Sequence, residues 1–296
     1  MMTFSISCVL TLAGFWEIER LEDGKVLLKI KMLVDSHCHL QKFRQRGALE
    51  DVLEEADALG VSQMITVGTS LEDWNLYREL SEAHPGRIHY TVGLHPTSVE
   101  EDWEEQVVRL PGLLGRDPQP CALGEIGLDH FHLPKKDPEA AERIKARQVL
   151  AFQRQLTIAK ELDVPIVIHS RNAFRECVDC ISDSGMSWNR VVFHCFADGA
   201  EEMRELKELG GFASFTGILT YKNGQNVRDA AMEQGLGRLM LETDSPYLTP
   251  EPHRGKENRP GYTRHVAERC AEMFGVSLEE VMEVTSNNVE KFYGVG

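Results

Sequence analysis

The stretch MLVDSHCHL, residues 32–40, joins an apolar segment to a His-x-His pair. Side chains alternate between the two faces of a strand with a period of two, so His37 and His39 point to the same side. Two imidazoles at the end of a buried strand can bind one divalent cation in a rigid geometry. A lone His-x-His pair is also compatible with core packing. Potential ligands elsewhere in the chain are needed to distinguish the two interpretations.

Apolar strand candidates recur along the chain after this stretch, and segments with helical spacing of apolar residues lie between them. The eight candidates begin near Met32, Val61, Ile88, Ala122, Val164, Val191, Gly211 and Leu239. Nearly continuous apolar strands that alternate with helices are typical of a parallel sheet covered by helices. Eight such units favour a closed (β/α)8 barrel, a fold for which about 250 residues is typical.

The domain organisation follows from the same pattern. No composition shift or linker divides residues 32–296, so the sequence predicts one α/β domain, a TIM barrel, over that range. Residues 1–31 form a short N-terminal extension in which Asp23-Gly24 lies between two strand-like segments, as in a hairpin. In the alternative interpretation, Met32 is the natural start and the extension has no fixed structure. Neither interpretation gives the extension a chemical role.

Composition excludes several classes of function. The formal net charge of −15 argues against a protein that coats nucleic acid through a general basic field, although bound metal ions and a few arginines can supply positive charge locally. Seven scattered cysteines suit a reducing compartment better than a disulfide framework. The apolar run at residues 6–16 is too short to span a bilayer and lacks the basic residues of a signal peptide. We therefore expect a cytoplasmic protein with no membrane contact and no obligate protein partner.

Residues that commonly bind metals follow the predicted strands. In a (β/α)8 barrel the carboxyl ends of the strands meet at one mouth, where active sites are built. Such a cluster is unfavourable in an apolar mouth without cations, and six ligands exceed the needs of one tetrahedral zinc. We therefore expect two divalent metal ions (Zn, Mn or Mg), bridged by Glu125. The six predicted ligands are His37, His39, Glu125, His169, His194 and Asp244.

Seven short motifs in order resemble one known family, the TatD-type metal-dependent deoxyribonucleases of the amidohydrolase-like barrel superfamily. The resemblance covers Met32 to the C-terminus. The motifs are DSHCHL (35–40), GLHP (93–96), GEIGLD (124–129), IHSR (168–171), HCF (194–196), TGILTYKN (216–223) and LETDSPYLTP (241–250). The sequence departs from the family in its 31-residue leader and at His130, where the family often has an aromatic residue. The second departure bears on substrate contacts and not on the metal centre.

The resemblance implies a hydrolase, supported by magnesium, manganese or zinc, that removes nucleotides from DNA, typically from a 3′ end. It also implies how the ligands divide between the two ions. One ion would be held by His37, His39, Glu125 and Asp244, and the other by Glu125, His169 and His194.

The expected mechanism uses a water whose pKa is lowered by two divalent ions, so that hydroxide attacks a phosphodiester. Asp244, beside that water, is the expected general base. His95 follows the third predicted strand and is the expected donor to the leaving group. Arg171, Lys222 and Arg254 lie in loops at the mouth and are the expected contacts to substrate phosphate.

Two other functions fit the same pattern. A barrel hydrolase could act on another ester or amide, such as a lactone, a phosphotriester or an aminoacyl ester on transfer RNA, because the same hydroxide attacks carbon or phosphorus. Several Arg or Lys side chains at the mouth would favour a phosphodiester, and an apolar pocket a neutral ester. A barrel retained only as an interaction module would lack ligands, and no ligand is missing here.

Overall fold

A computed structural model of the chain describes residues 16–20, 26–30 and 32–296. The strands in this part of the chain are β1 (Trp16–Arg20), β2 (Val26–Ile30), β3 (Leu33–Cys38), β4 (Val61–Thr66), β5 (Ile88–Val92), β6 (Ala122–Asp129), β7 (Ile166–Arg171), β8 (Val191–Phe193), β9 (Phe212–Phe215) and β10 (Met240–Leu241).

Strands β3 to β10 form one parallel sheet in which each strand pairs with the next in chain order. The sheet closes on itself just beyond β10, where Cys38 and Ser245 form a parallel bridge. His39 N donates to Ser245 O at 2.8 Å, and Asp244 N donates to His37 O at 2.9 Å. The predicted (β/α)8 barrel is therefore confirmed, with all eight predicted strands close to their expected positions.

Helices cover the outside of the barrel. In the described residues they are α1 (Gln41–Gln45), α2 (Leu49–Ala58), α3 (Leu71–Ala83), α4 (Trp103–Val107), α5 (Leu110–Leu114), α6 (Pro138–Leu162), α7 (Phe174–Ser184), α8 (Ala200–Leu209), α9 (Gln225–Gln234), α10 (Thr263–Phe274) and α11 (Leu278–Tyr293). Residues 98–114 contain two short helices, α4 and α5, and not one continuous helix. Pro111 is the second residue of α5, in the first turn, where its missing N–H is tolerated.

Two apolar layers hold the barrel together. The larger one packs the outer faces of the strands against the helices. The smaller one fills the barrel interior with Val34, Val167, Val192 and their neighbours, and it includes Phe292 and Tyr293 from the end of α11. The last helix therefore closes the barrel at the amino ends of the strands. The opposite end, at the carboxyl ends, is where polar side chains enter the interior.

The N-terminal strands pair with each other. Strands β1 and β2 are antiparallel, with Trp16 opposite Ile30 and Arg20 opposite Val26, as the hairpin interpretation predicts. The predicted turn at Asp23-Gly24 lies outside the described residues. The domain boundary at residue 32 and the role of residues 1–31 stay predictions.

Two further predictions concern the cellular environment. None of the described helices combines the length and the apolar character needed to cross a membrane. Six of the seven cysteines lie in the described residues, and these six are free thiols. The cytoplasmic location itself stays a prediction.

Candidate metal centre

Glu125 lies at the centre of a buried cluster at the carboxyl ends of the barrel strands. One of its oxygens, Oε1, lies 2.6 Å from His194 Nε2 and 2.7 Å from His169 Nδ1. The same oxygen lies 3.4 Å from His95 Nε2. Three imidazoles from three different strands or loops thus converge on a single carboxylate oxygen.

The second oxygen of Glu125 faces a different set of side chains. Oε2 lies 3.5 Å from His37 Nε2 and 4.0 Å from His39 Nε2. Asp244 completes this set, with Oδ1 3.3 Å from His39 Nε2 and 3.8 Å from His37 Nε2. Because its two oxygens face two sets of donors, Glu125 has the geometry of a bridging carboxylate.

The strand period explains part of this convergence. Val167 and Val192 belong to the interior apolar layer, and His169 and His194 follow them by two residues each. Residues two apart in a strand point to the same side, so both imidazoles enter the barrel above the interior valines. Met240 and Glu242 are related in the same way after β10.

The first and fourth barrel strands do not keep this simple alternation. Val34 and Ala122 are interior residues, yet His37 and Glu125 follow them by three residues and still enter the barrel. The pairing register shifts between Asp35 and Cys38 in β3 and between Leu123 and Ile126 in β6. Irregularities of this kind redirect side chains and occur often beside active sites.

Gly127 allows β6 and β7 to approach each other beside the cluster. Its φ is +139°, and a Cβ at this position would lie 2.0 Å from the carbonyl oxygen of His169. No other residue type fits without moving the strand that carries His169. The second glycine of the GEIGLD motif is thus required by the position of His169.

Asp129 is a buried carboxylate that the sequence interpretation did not assign to the site. His169 Nε2 donates to Asp129 Oδ2 at 3.1 Å, and Asp129 also contacts His132 Nδ1 at 2.7 Å. With Nε2 engaged in this way, Nδ1 of His169 is the nitrogen that faces Glu125. A carboxylate behind a histidine fixes the tautomer and the ring orientation that a metal ligand needs.

Glu242 lies behind His194 in a similar position but makes no hydrogen bond to its ring. It is fully buried, and its Oε1 lies 3.4 Å from His194 Nδ1 and accepts from Cys195 N at 2.8 Å. Its Oε2 accepts a hydrogen bond from Ser214 Oγ. These bonds hold the carboxylate in place behind the imidazole, on the side away from Glu125.

A signal for both carboxylates is present in the sequence. Asp129 follows Glu125 by four residues in one strand, and Glu242 precedes Asp244 by two, so the alternation that pairs His37 with His39 also relates these residues. Each of these two strands already carried one predicted ligand, Glu125 or Asp244, and the second carboxylate was left unassigned.

Burial and charge shift the pKa values in the cluster in opposite directions. Burial alone raises the pKa of Glu125, but the charges of His194 and His95 and the hydrogen bond from His169 hold it well below its ordinary value. Burial lowers the pKa of His194, but the charge of Glu125 and its hydrogen bond raise it well above its ordinary value. Burial, followed by the charge of His194, lowers the pKa of His37. Protons and a cation compete for the same lone pairs here.

The nitrogens of His37 indicate that the cluster fits a cation. The ring is fully buried, and both of its nitrogens lack a hydrogen-bond partner within the described part of the chain. A buried polar atom without a partner is unfavourable unless another group satisfies it. A divalent ion between His37, Glu125 and Asp244 would satisfy Nε2, the nitrogen that faces the two carboxylates. The donors, imidazole and carboxylate, suit zinc or manganese.

Three sets of potential ligands have donor atoms within 4.8 Å of one another in the described residues. They are His37, His39 and Glu125; His95, Glu125 and His169; and His37, His194 and Glu242. Five of the six predicted ligands belong to these sets, and the sixth, Asp244, lies 3.3 Å from His39 Nε2. All six therefore lie in one cluster, and the structure adds His95 and Glu242 as neighbours with suitable donor atoms.

A cavity of about 680 Å³ opens over the cluster. Arg171 and Lys42 line it, together with His39, His95 and Asp244. A volume of this size accommodates a nucleotide-sized ligand.

The other two predicted phosphate contacts lie away from this lining. Lys222 is exposed in the turn before α9, and the exposed Arg254 lies with its guanidinium carbon 3.5 Å from the centre of the Tyr221 ring. A contact of either residue with substrate stays a prediction.

Comparison with known proteins identifies the family. Residues 34–294 match the family described as TatD related DNase. The chain belongs to this family. The resemblance found in the sequence motifs is therefore confirmed. Relatives in this family are described as metal-dependent hydrolases.

Individual relatives extend the match over the barrel. The Escherichia coli K12 protein described as uncharacterized metal-dependent hydrolase YcfH is 35% identical over 266 residues, 89% of this chain and 96% of that protein. The Erwinia tasmaniensis protein named 3′-5′ ssDNA/RNA exonuclease TatD is 29% identical over 251 residues, 83% of this chain and 93% of its own. The crystal structure of the TatD homologue YjjV from E. coli K12 has a TM-score of 0.80 and 26% identity, and covers 89% of this chain and 98% of that one.

Proposed function

We propose that this TatD-family protein is a phosphodiesterase that removes nucleotides from the 3′ end of single-stranded DNA, with two divalent metal ions at the candidate centre. The observation that supports the proposal best is the position of Glu125. Its two oxygens face two separate sets of imidazoles, and Asp244 joins one of these sets. Two ions bridged by a carboxylate are a common solution for in-line displacement at phosphorus.

The residues divide into two groups by what each would hold. One group has His37, His39 and Asp244 around Oε2 of Glu125. The other has His169 and His194 around Oε1. Divalent cations held there would supply Lewis acidity toward a phosphoryl oxygen and would lower the pKa of water.

The remaining steps belong to side chains of the chain itself. Asp244 is partly exposed to the cavity, with 15% side-chain exposure, so its carboxylate can accept a proton from the attacking water. His95 lies on the other side of Glu125, with Nε2 directed to the cluster and Nδ1 beside Thr97 Oγ1 at 2.7 Å. That position suits donation of a proton to the leaving oxygen.

The lining of the cavity favours a phosphodiester over a neutral ester. Lys42 and Arg171 contribute positive charge near the metal centre, in a protein whose net charge is −15. A neutral ester or lactone would not require these cations. The name of the Erwinia relative, an exonuclease of single-stranded DNA and RNA, supports a single-stranded substrate and leaves RNA as a second candidate of the same chemistry.

Digestion of labelled oligonucleotides tests the proposal. Single- and double-stranded DNA and RNA, labelled at the 5′ or the 3′ end, are incubated with protein loaded with Mn²⁺, Mg²⁺ or Zn²⁺. A generic phosphotriester and a carboxylic ester are assayed in parallel, and Asp244→Asn protein is the control. We expect a ladder of products shortened from the 3′ end of single-stranded DNA. Turnover of the ester or phosphotriester without any oligonucleotide cleavage would instead assign the barrel to another hydrolase class.

A further inference from the structure

Two exposed aromatic side chains lie at the mouth of the barrel. Among the large apolar side chains that are exposed in the described part of the chain, Phe131 (42% exposed) and Tyr247 (50%) are the aromatic ones. Tyr247 lines the cavity over the metal centre. Phe131 lies two residues after the end of β6, between His130 and His132. Single exposed apolar side chains are common, so only their position at the mouth and their partners indicate a role for these rings.

Each ring is paired with a cation. Lys42 Nζ lies 4.7 Å from the centre of the Tyr247 ring and donates to its hydroxyl at 2.9 Å. The guanidinium of Arg171 lies 4.3 Å from the centre of the Phe131 ring. Both cations line the cavity. The first pair therefore presents the Tyr247 ring, held by a cation, at the cavity over the metal centre. The second presents the Arg171 guanidinium, held against the Phe131 ring.

The two pairs lie on opposite sides of the mouth. Lys42 and Tyr247 follow β3 and β10, which are neighbours where the barrel closes. Phe131 follows β6, and Arg171 ends the adjacent β7. In an eight-stranded barrel with the order β3 to β10, the β3/β10 seam and the β6/β7 pair are diametrically opposed. The metal centre, organised by Glu125, lies between them.

This arrangement matches the two nucleotides that flank one phosphodiester. Bases of single-stranded nucleic acid stack on aromatic rings and on arginine planes, whatever their sequence, and adjacent cations contact the backbone. Paired bases of an intact duplex do not offer free faces to such planes. The arrangement thus fits a single strand with its bases splayed apart across the cavity.

We propose that these pairs form a base clamp: Tyr247, fixed by Lys42, stacks on the base on one side of the scissile phosphate, and Arg171, backed by Phe131, stacks on the base on the other side. This inference rests on the proposed function and specifies how the substrate is recognised. Phe131 acts as a positioning residue, since Arg171 and not Phe131 lines the cavity.

Abasic substrates test the clamp. A short single-stranded oligonucleotide is compared with the same oligonucleotide carrying abasic residues at the two positions nearest the digested end, and kcat/KM is measured for both. We expect wild type to prefer the natural substrate by at least about fivefold, equivalent to roughly 1 kcal/mol of stacking. Tyr247→Leu and Phe131→Leu should each reduce this preference, mainly through KM. Tyr247→Phe, which keeps the ring, should retain it, and Leu150→Ala, on the exposed face of α6, is the surface control.

A spectroscopic measurement separates binding from turnover. Asp244→Asn protein is titrated with an oligonucleotide that carries 2-aminopurine at the digested end, whose fluorescence is quenched when the base stacks. Quenching that is lost in the Asp244→Asn/Tyr247→Leu double variant supports the clamp. Equal hydrolysis of natural and abasic substrates by wild type, or equal losses on both substrates in the variants, overturns it. Failure to cleave any natural oligonucleotide would instead refute the proposed function.

Discussion

His169 and Asp129 form a hydrogen bond of 3.1 Å on the side of the imidazole that faces away from Glu125. The bond fixes the proton on Nε2 and directs Nδ1 to the centre of the cluster. Asp129→Asn keeps the size of the side chain but replaces the carboxylate by an amide. We expect metal affinity to fall about 10- to 100-fold, which is typical for loss of such a partner.

Competition with a fluorescent zinc chelator measures that affinity. The control is Asp137→Asn, which changes an exposed carboxylate at the start of α6 and should leave affinity unchanged. Unchanged zinc affinity in Asp129→Asn would mean that His169 is held by its surroundings alone.

Asp244 carries the proton transfer in the proposed mechanism. Asp244→Asn removes the basic carboxylate 3.3 Å from His39 Nε2, so turnover should fall at least about 100-fold, a loss of some 2.7 kcal/mol of transition-state stabilisation. Circular dichroism should show an intact fold. Glu251→Gln, an exposed change after the same motif, is the matched control. Full activity of Asp244→Asn protein would remove this residue from the mechanism.

Removal of metal tests the cluster as a binding site. Exhaustive chelation should abolish turnover, and Mn²⁺ or Zn²⁺ should restore it better than Mg²⁺, because imidazole ligands suit the first two ions. An ion that binds only the folded state also stabilises it, by roughly 2.7 kcal/mol at 100 times its Kd. We therefore expect Tm to rise by roughly 5–10 °C on readdition. Persistent hydrolysis by chelated protein would contradict metal catalysis.

The geometry at Gly127 predicts that a substitution there lowers both stability and metal affinity. A Cβ at this position would meet the carbonyl oxygen of His169 at 2.0 Å, and φ is +139°. Gly127→Ala should lower the free energy of unfolding by at least about 2 kcal/mol and weaken metal binding, because β7 has to move. Urea unfolding of the metal-free protein measures the first effect. Gly112→Ala, in open space on α5, should be neutral or slightly stabilising.

Asp198 predicts a pH-dependent stability difference. Burial, followed by the charge of Glu202, raises the pKa of Asp198 from 3.8 to about 6. A raised pKa means that ionisation destabilises the folded state, so stability that is fully present below about pH 4 is lost as pH rises through 6. Because the side chain is only half-buried, we expect Asp198→Asn to recover about 1–2 kcal/mol at pH 7.5 and nothing at pH 4.

Urea unfolding of chelated wild-type and Asp198→Asn protein at both pH values measures this difference. Asp183→Asn, on the exposed end of α7, controls for the loss of one surface charge. A gain of equal size at both pH values would show that the carboxylate's ionisation is not responsible.

The fold could be predicted because its signals are local and repeated. Apolar strands alternate with amphipathic helices eight times, and the ligands follow the strands at which a barrel gathers its functional groups. The common direction of His37 and His39 follows from the strand period alone. These inferences need no knowledge of contacts between distant residues.

Other features depend on contacts between residues that are distant in the sequence. Strict alternation from Val34 would point His37 out of the barrel, and only the register shift in β3 brings it inside. The loop after β10 is held by Asn258, whose side chain donates to Thr243 O at 2.8 Å. This bond sets the course of the loop, so the position of Arg254 outside the cavity lining could not be predicted from the sequence. The exposure of Tyr247 likewise depends on that loop.

The closure of the barrel between β3 and β10 has a consequence for biosynthesis. His37 and Asp244 are separated by about 200 residues of chain, and they meet only when the last strand docks on the first. Helix α11 secures that junction, where Ser286 Oγ accepts from Val34 N at 3.2 Å. A nascent polypeptide that has not yet released β10 from the ribosome cannot assemble the His37, His39 and Asp244 group. That group therefore forms only after the chain has been made as far as Asp244, and a product truncated before β10 would lack it.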